Sequence, residues 1–384
     1  MNVTLYKNLK LVIIVSTVIN VLCFTSCKVD ETKDTYSKII KPVIKTDPVK
    51  HDTDDPAIWI NQEDPSKSLI IGTDKDEDGA LYVFNLDGNV IEEKTVRDLK
   101  RPNNVDVEYG IILNGVATDI AVTTERLTNK IRVFSLPDMV EVDNGGIVVF
   151  EGEELNLPMG IALYKRPADG AIFAIVGRKE GPVDLYLWQY LLEDDGSGNV
   201  KATKVRSFGS YSGLKEIESI AVDDQLGYVY YSDEQYGVRK YHADPDAPDA
   251  DKELGIIYTQ DYLDDNEGIS IYCIDDKTGY ILVSDQRANR FRIYPREGTP
   301  AEIDIEDPED SEPARPHLHK LIKIVYLTTN NSDGSDVTNV ALNETFPVGL
   351  FVAMSDDSTF QFYDWADIAG EDLIIAPNGV KQTK

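Results

Sequence analysis

Between Ser68 and Tyr363, one pattern of two short apolar runs joined by a turn returns six times. The paired runs are 68–72 with 79–85, 119–123 with 130–134, 171–176 with 183–190, 227–232 with 237–241, 279–284 with 291–294, and 349–354 with 359–363. Each pair reads as a buried strand, a turn, and an amphipathic strand ending on an aromatic. A further apolar run precedes most pairs, at 57–60, 105–109, 160–164, 219–223 and 268–272. These runs start roughly 50–60 residues apart, close to the ~40–50 of a propeller blade with long loops. The pattern predicts an all-β fold, a six-bladed β-propeller occupying residues 51–384 as one domain. A jelly roll or sandwich would accommodate any single pair, but not a six-fold recurrence. The sixth copy shows no innermost strand after the Pro-rich, acidic stretch 295–316, which leaves its boundary open.

The first residues follow another pattern. Lys7 and Lys10 precede an apolar run, 11–24, broken only by Ser16, Thr17 and Asn20. A positive start and a run shorter than a span of ~20 residues mark a signal peptide. Phe24-Thr25-Ser26-Cys27 resembles the lipobox of bacterial lipoproteins. Cleavage before Cys27 with lipid on its sulfur is therefore expected, making 1–26 the signal and 27–50 a flexible polar tether. The product would be an exported lipoprotein anchored at the outer membrane or cell surface, touching membrane only through its lipid. Plain secretion, or a periplasmic protein with Cys27 unmodified, is the alternative. Cys273, in a strand-like run, is expected to be inert core.

Charge narrows the partners. Against 38 Lys and Arg stand 68 Asp and Glu, a formal charge of -30. Nucleic-acid binding needs a basic footprint, and none is present. The acids and amides gather just ahead of the innermost strands: Asp52, Asp54 and Asp55; Asn103, Asn104 and Asp106; Glu216 and Glu218; Asp264, Asp265 and Glu267. One such group alone is turn chemistry. Four at equivalent repeat positions would converge on one end of a propeller channel, where their repulsion demands cations. Oxygen-only donors in loops suit several Ca²⁺ ions, and the four histidines are too scattered for zinc or iron. Lys75, Arg126, and Arg178 with Lys179 stand at one offset in three successive copies. They describe an anion seat beside the metal cluster, the arrangement that holds phosphoryl groups. No Gly-x-Ser-x-Gly elbow, P-loop or Cys-x5-Arg loop occurs, so a metal-activated water is left as the nucleophile.

At Asp54-Asp-Pro-Ala-Ile-Trp59, Asn103-Asn-Val-Asp106, Glu218 with Asp223-Asp224, Asn266-Glu-Gly268 and Gly349-Leu-Phe-Val-Ala353 the chain resembles the β-propeller phytases, a calcium-dependent bacterial family. The resemblance runs from about Asp52 to Ile368. It implies hydrolysis of phytate (inositol hexakisphosphate), taken as a calcium complex by a monomer, to lower inositol phosphates. By position it gives catalytic roles to Lys75, Arg126, Lys179, Glu218 and Glu234, and substrate contacts to Lys75, Arg126, Arg178, Lys179 and Gln286. It gives metal-binding roles to Asp55, Asn103, the Val105 carbonyl, Glu218, Asp265, Glu267, Asp333 and Asp336. Met159 stands where other members have a calcium-binding Tyr, and Arg178-Lys179-Glu180-Gly181 carries an extra residue, leaving open which cation grips phosphate. A calcium-dependent lactonase or esterase, or a non-catalytic binding propeller, are the competing expectations.

Overall fold

A computed structural model of the chain describes residues 38–301 and 311–377. The expected signal peptide and Cys27 lie outside them. The strands form six separate antiparallel sheets. The innermost strands are Thr53–Trp59, Pro102–Leu113, Pro158–Lys165, Ile217–Asp223, Asn266–Cys273 and Ser335–Thr338. Each contacts the next, and the sixth returns to the first, so the sheets are the six blades of a propeller.

Each blade buries both faces, which explains why the apolar runs are continuous. Neighbouring strand residues point to opposite sides of a sheet. In Leu69–Asp74 this sends Leu69 and Ile71 into a cluster with Val105, Val107 and Phe134 of the second blade. Ile70 goes the other way, to Val352, Phe360 and Phe362 of the sixth. Six apolar clusters of this kind fill the six junctions between blades. At ~25 cal/mol per Å² of apolar surface, these junctions hold the ring together, and among the described residues no disulfide assists them. Cys273 is a buried free thiol within its strand.

Hydrogen bonds around the channel tie the blades further. Asp106 Oδ2 accepts from Leu163 N of the third blade at 2.7 Å, and Asp336 Oδ2 from Ile58 N of the first at 2.8 Å. Asp224 Oδ1 accepts from Lys165 N at 3.0 Å.

The structure departs from the sequence reading in two places. The sixth innermost strand is Ser335–Thr338, short and polar at three of its four residues, while the Pro-rich stretch falls in the sequence between two strands of the fifth blade, Arg290–Pro295 and Lys323–Tyr326. The second correction concerns the segment read as tether. Its part from Lys38 onward belongs to the fold: Ile44–Lys45 is the outermost strand of the sixth blade, paired with Phe362 and Gln361. Ile40 N, Val43 N, Thr46 N and Val49 N all donate to propeller carbonyls, and Val49 is buried. The sixth copy supplies only three strands of its own, so the chain start provides the fourth. Among the described residues no helix is long and apolar enough to cross a membrane.

Candidate functional site

The mouth of the channel is built from two positions that repeat from blade to blade. The first is the second residue of the innermost strand: Asp54, Asn103, Met159, Glu218 and Glu267 in blades one to five. Just beyond it the strand slips register in all five blades, at Thr53/Pro56, Pro102/Val105, Pro158/Ile161, Ile217/Ile220 and Asn266/Ile269. Bulges of this kind re-aim side chains. Glycines let the strand ends crowd together: a Cβ on Gly160 would lie 2.0 Å from the Glu218 carbonyl, and one on Gly334 would lie 2.4 Å from Asp55 Oδ1.

The second repeating position follows the second strand: Lys75, Arg126, Lys179, Glu234 and Gln286. In each blade its N–H donates to the carbonyl just ahead of the innermost strand, on Asp52, Arg101, Leu157, Glu216 and Asp265 respectively. That bond brings the two positions side by side.

The side chains accordingly converge. Lys75 Nζ lies 2.6 Å from Asp54 Oδ1, 3.6 Å from Asp333 Oδ2 and 3.8 Å from Glu218 Oε1. Asn103 Nδ2 donates to Asp54 Oδ2 at 2.7 Å and to Glu218. Lys179 pairs with Glu216, and Gln286 donates to Asp333. Lys215, from the preceding loop, reaches Asp265 Oδ2 at 2.6 Å and Glu234 Oε2 at 2.8 Å. Acids outnumber cations, and several buried polar atoms have no hydrogen-bond partner: Asn103 Oδ1, Glu234 Oε1, Glu267 Oε2, Gln286 Oε1, and Nε and Nη2 of Arg126.

Ionisation follows from this crowding. Burial, then the charge of Glu218, pushes the Asp54 carboxyl well up. Burial also raises Glu218, but Lys75, Arg126 and Lys179 outweigh it and hold that carboxyl below its usual range. Burial lifts Asp333 to about 6 and Glu234 to about 8. Desolvation lowers Arg126, whose neighbours Glu218 and Asp54 only partly compensate.

The donors fit a hard cation. One oxygen from each of Glu216, Glu218 and Glu234 lies within 4.8 Å of the others, as does one from each of Glu234, Asp265 and Glu267. Carboxylate oxygens with spare lone pairs are what a divalent oxygen-seeking ion takes, and these groups can hold one.

Some candidates lie elsewhere. Arg178 faces away from the mouth, buried against the rings of Phe150 and Trp188 at 4.3 and 5.6 Å. Its Nε donates to the Tyr186 carbonyl and its Nη1 to Glu153, so Lys179 alone of that pair reaches the site. Asp55, Val105 and Asp336 line a cavity of about 60 Å³ between the six innermost strands, to which Lys75, Asp54, Glu218 and Asp333 do not contribute. There Val105 N donates to Asp55 Oδ2 at 3.1 Å, and Asp336 braces the first blade. Met159 is buried at the first repeating position and brings a thioether where its counterparts bring oxygen or nitrogen. Asp54 is read from the sequence as one of the converging acids but given no role of its own, and Lys215 is not picked out.

The 3-phytase of Bacillus subtilis (strain 168) is 29% identical over 348 residues, covering 85% of this chain and 83% of that protein. Among solved structures, the Dos1 propeller has a TM-score of 0.40 at 10% identity, over 80% of this chain and 66% of that one. Kuenenia stuttgartiensis hydrazine synthase gives 0.45 at 13%, over 80% and 82%. The phytase profile matches residues 7–364. With a match over nearly its whole length, the chain belongs to the phytase family.

Proposed function

We propose that the channel mouth hydrolyses phytate to lower inositol phosphates with the help of bound Ca²⁺. The observation that carries this reading is the alternation of Lys75, Arg126 and Lys179 with acids at one opening, where two nitrogens of Arg126 have no partner. Substrate and protein are both polyanions and repel each other, so cations must stand between them. When bound, the ion supplies positive charge that polarises a phosphoryl oxygen and acidifies a water. Lys75, Arg126 and Lys179 stabilise the charge that grows on the equatorial oxygens. Glu218, kept ionised by those cations, orients a water by accepting its hydrogen bond. Asp333, which lies outside both acid triads and which burial lifts to about 6, can pass a proton to the leaving oxygen. A lactonase or esterase has no need of the three cations. Export as a lipoprotein through Cys27, and a monomeric state, belong to the same proposal and rest on the sequence.

Two experiments follow. Phosphate release from phytate is expected with Ca²⁺, should vanish on chelation and should return when Ca²⁺ is restored; no release between neutral and alkaline pH would overturn the reading. The neighbours Arg178 and Lys179 should part company. Arg178→Ala strands buried carbonyls and removes ring stacking, so a loss of ~2–4 kcal/mol in thermal denaturation is expected. Lys179→Ala should change stability by less than ~1 kcal/mol and lower kcat for phosphate release by ~10².

A further inference from the structure

Lys215 stands at a place where the reading above puts an ion. Its ammonium nitrogen lies 2.6 Å from Asp265 Oδ2, 2.8 Å from Glu234 Oε2 and 3.6 Å from Glu267 Oε1. Those three carboxylates are one of the two acid triads able to hold a metal. We propose that Lys215 is a resident counter-cation of this triad, and that a divalent ion loads there by displacing its ammonium.

The two cations cannot share the place. An ion at the usual ~2.3–2.6 Å from its oxygens would need the same lone pairs that the ammonium now holds. Their like charges would also repel in a desolvated setting. Nor does the ammonium satisfy the triad: Glu234 Oε1 and Glu267 Oε2 are buried without a hydrogen-bond partner, and one positive charge faces three acids.

Exposure indicates which group moves. The side chains of Glu234, Asp265 and Glu267 are 1%, 2% and 3% exposed, whereas that of Lys215 is 36% exposed. Rotation about its four-carbon stem takes the ammonium to water and leaves the acids in place. Lys75 differs, with only 14% exposure between Asp54, Glu218 and Asp333. The exchange has two consequences. The ion-free protein keeps its acids partly neutralised, and ion affinity is lowered by the cost of expelling Lys215. Each loading event also frees one ammonium at the opening.

This inference rests on the divalent ion of the proposed function, and its test reads binding and melting without any substrate. Calcium titration by calorimetry and thermal denaturation in chelator would be run on the full protein and on Lys215→Met. The variant should bind calcium at least about tenfold more tightly and melt several degrees lower in chelator, with the calcium-saturated melting point unchanged. Should the methionine variant fail to fold, Lys215→Gln is expected to shift affinity in the same direction. Unchanged or weaker affinity in the variant, with calcium bound by the wild type, overturns the exchange and leaves the proposed function standing. Absence of calcium binding in both proteins overturns both.

Discussion

Arg126→Met is expected to lower kcat for phosphate release by ~10²–10³ while leaving the propeller at least as stable as before. The two halves of that result have one cause. Arg126 is buried, yet its Nε and Nη2 bond to nothing, and desolvation outweighs its acidic neighbours. A buried guanidinium with idle donors weakens the fold, and exchange for an apolar side chain of similar length removes that cost. The same idle donors are what an incoming phosphoryl group would engage. Lys75→Met should give a loss of similar size. Asp54, already pushed up by burial and Glu218, can take the proton that the missing ammonium would otherwise have balanced. Steady-state kinetics with thermal denaturation checks both variants. Full turnover in either would remove that residue from the anion seat.

Truncation should have the largest effect on the fold. A protein beginning at His51 is expected to melt about 12 °C below one beginning at Lys38. The lost segment carries the donors of Ile40, Val43, Thr46 and Val49 to propeller carbonyls, and buries Val49. At ~1 kcal/mol per hydrogen bond and ~2 kcal/mol for a buried valine, about 6 kcal/mol is at stake. For a domain of this size, each kcal/mol is worth roughly 2 °C. Equal melting points would return residues 38–50 to the role of linker.

The blades were legible because their strands are buried on both sides, which writes each one as an uninterrupted apolar run. Ile44–Lys45 escaped because two residues carry no period; only the sixth blade's want of an outer strand gives them meaning. Ser335–Thr338 escaped because Asp336 spends its carboxylate on backbone N–H groups of Ile58 and Val337, so the strand looks like a loop. At the mouth the residue types were legible and their directions were not. Asp54 and Asp55 are chain neighbours, as are Arg178 and Lys179, and one member of each pair enters the site. Which one depends on the register slip in the first pair and on strand alternation in the second. Neither leaves a trace in composition. Lys215 looked like an ordinary loop lysine because its partners come from across its own blade (Glu234) and from the next blade (Asp265), contacts that only the closed fold creates.

The pairing of Ile44 with Phe362 also sets a timetable for biosynthesis. Five blades can assemble in the order they are made, but the last seam waits until the strand Thr359–Asp364 exists. A nascent chain halted anywhere earlier keeps one apolar blade face and a sheet edge uncovered, and offers both to chaperones and proteases. Synthesis of that strand and burial of that surface are thus nearly one event, so a molecule halted before it announces itself.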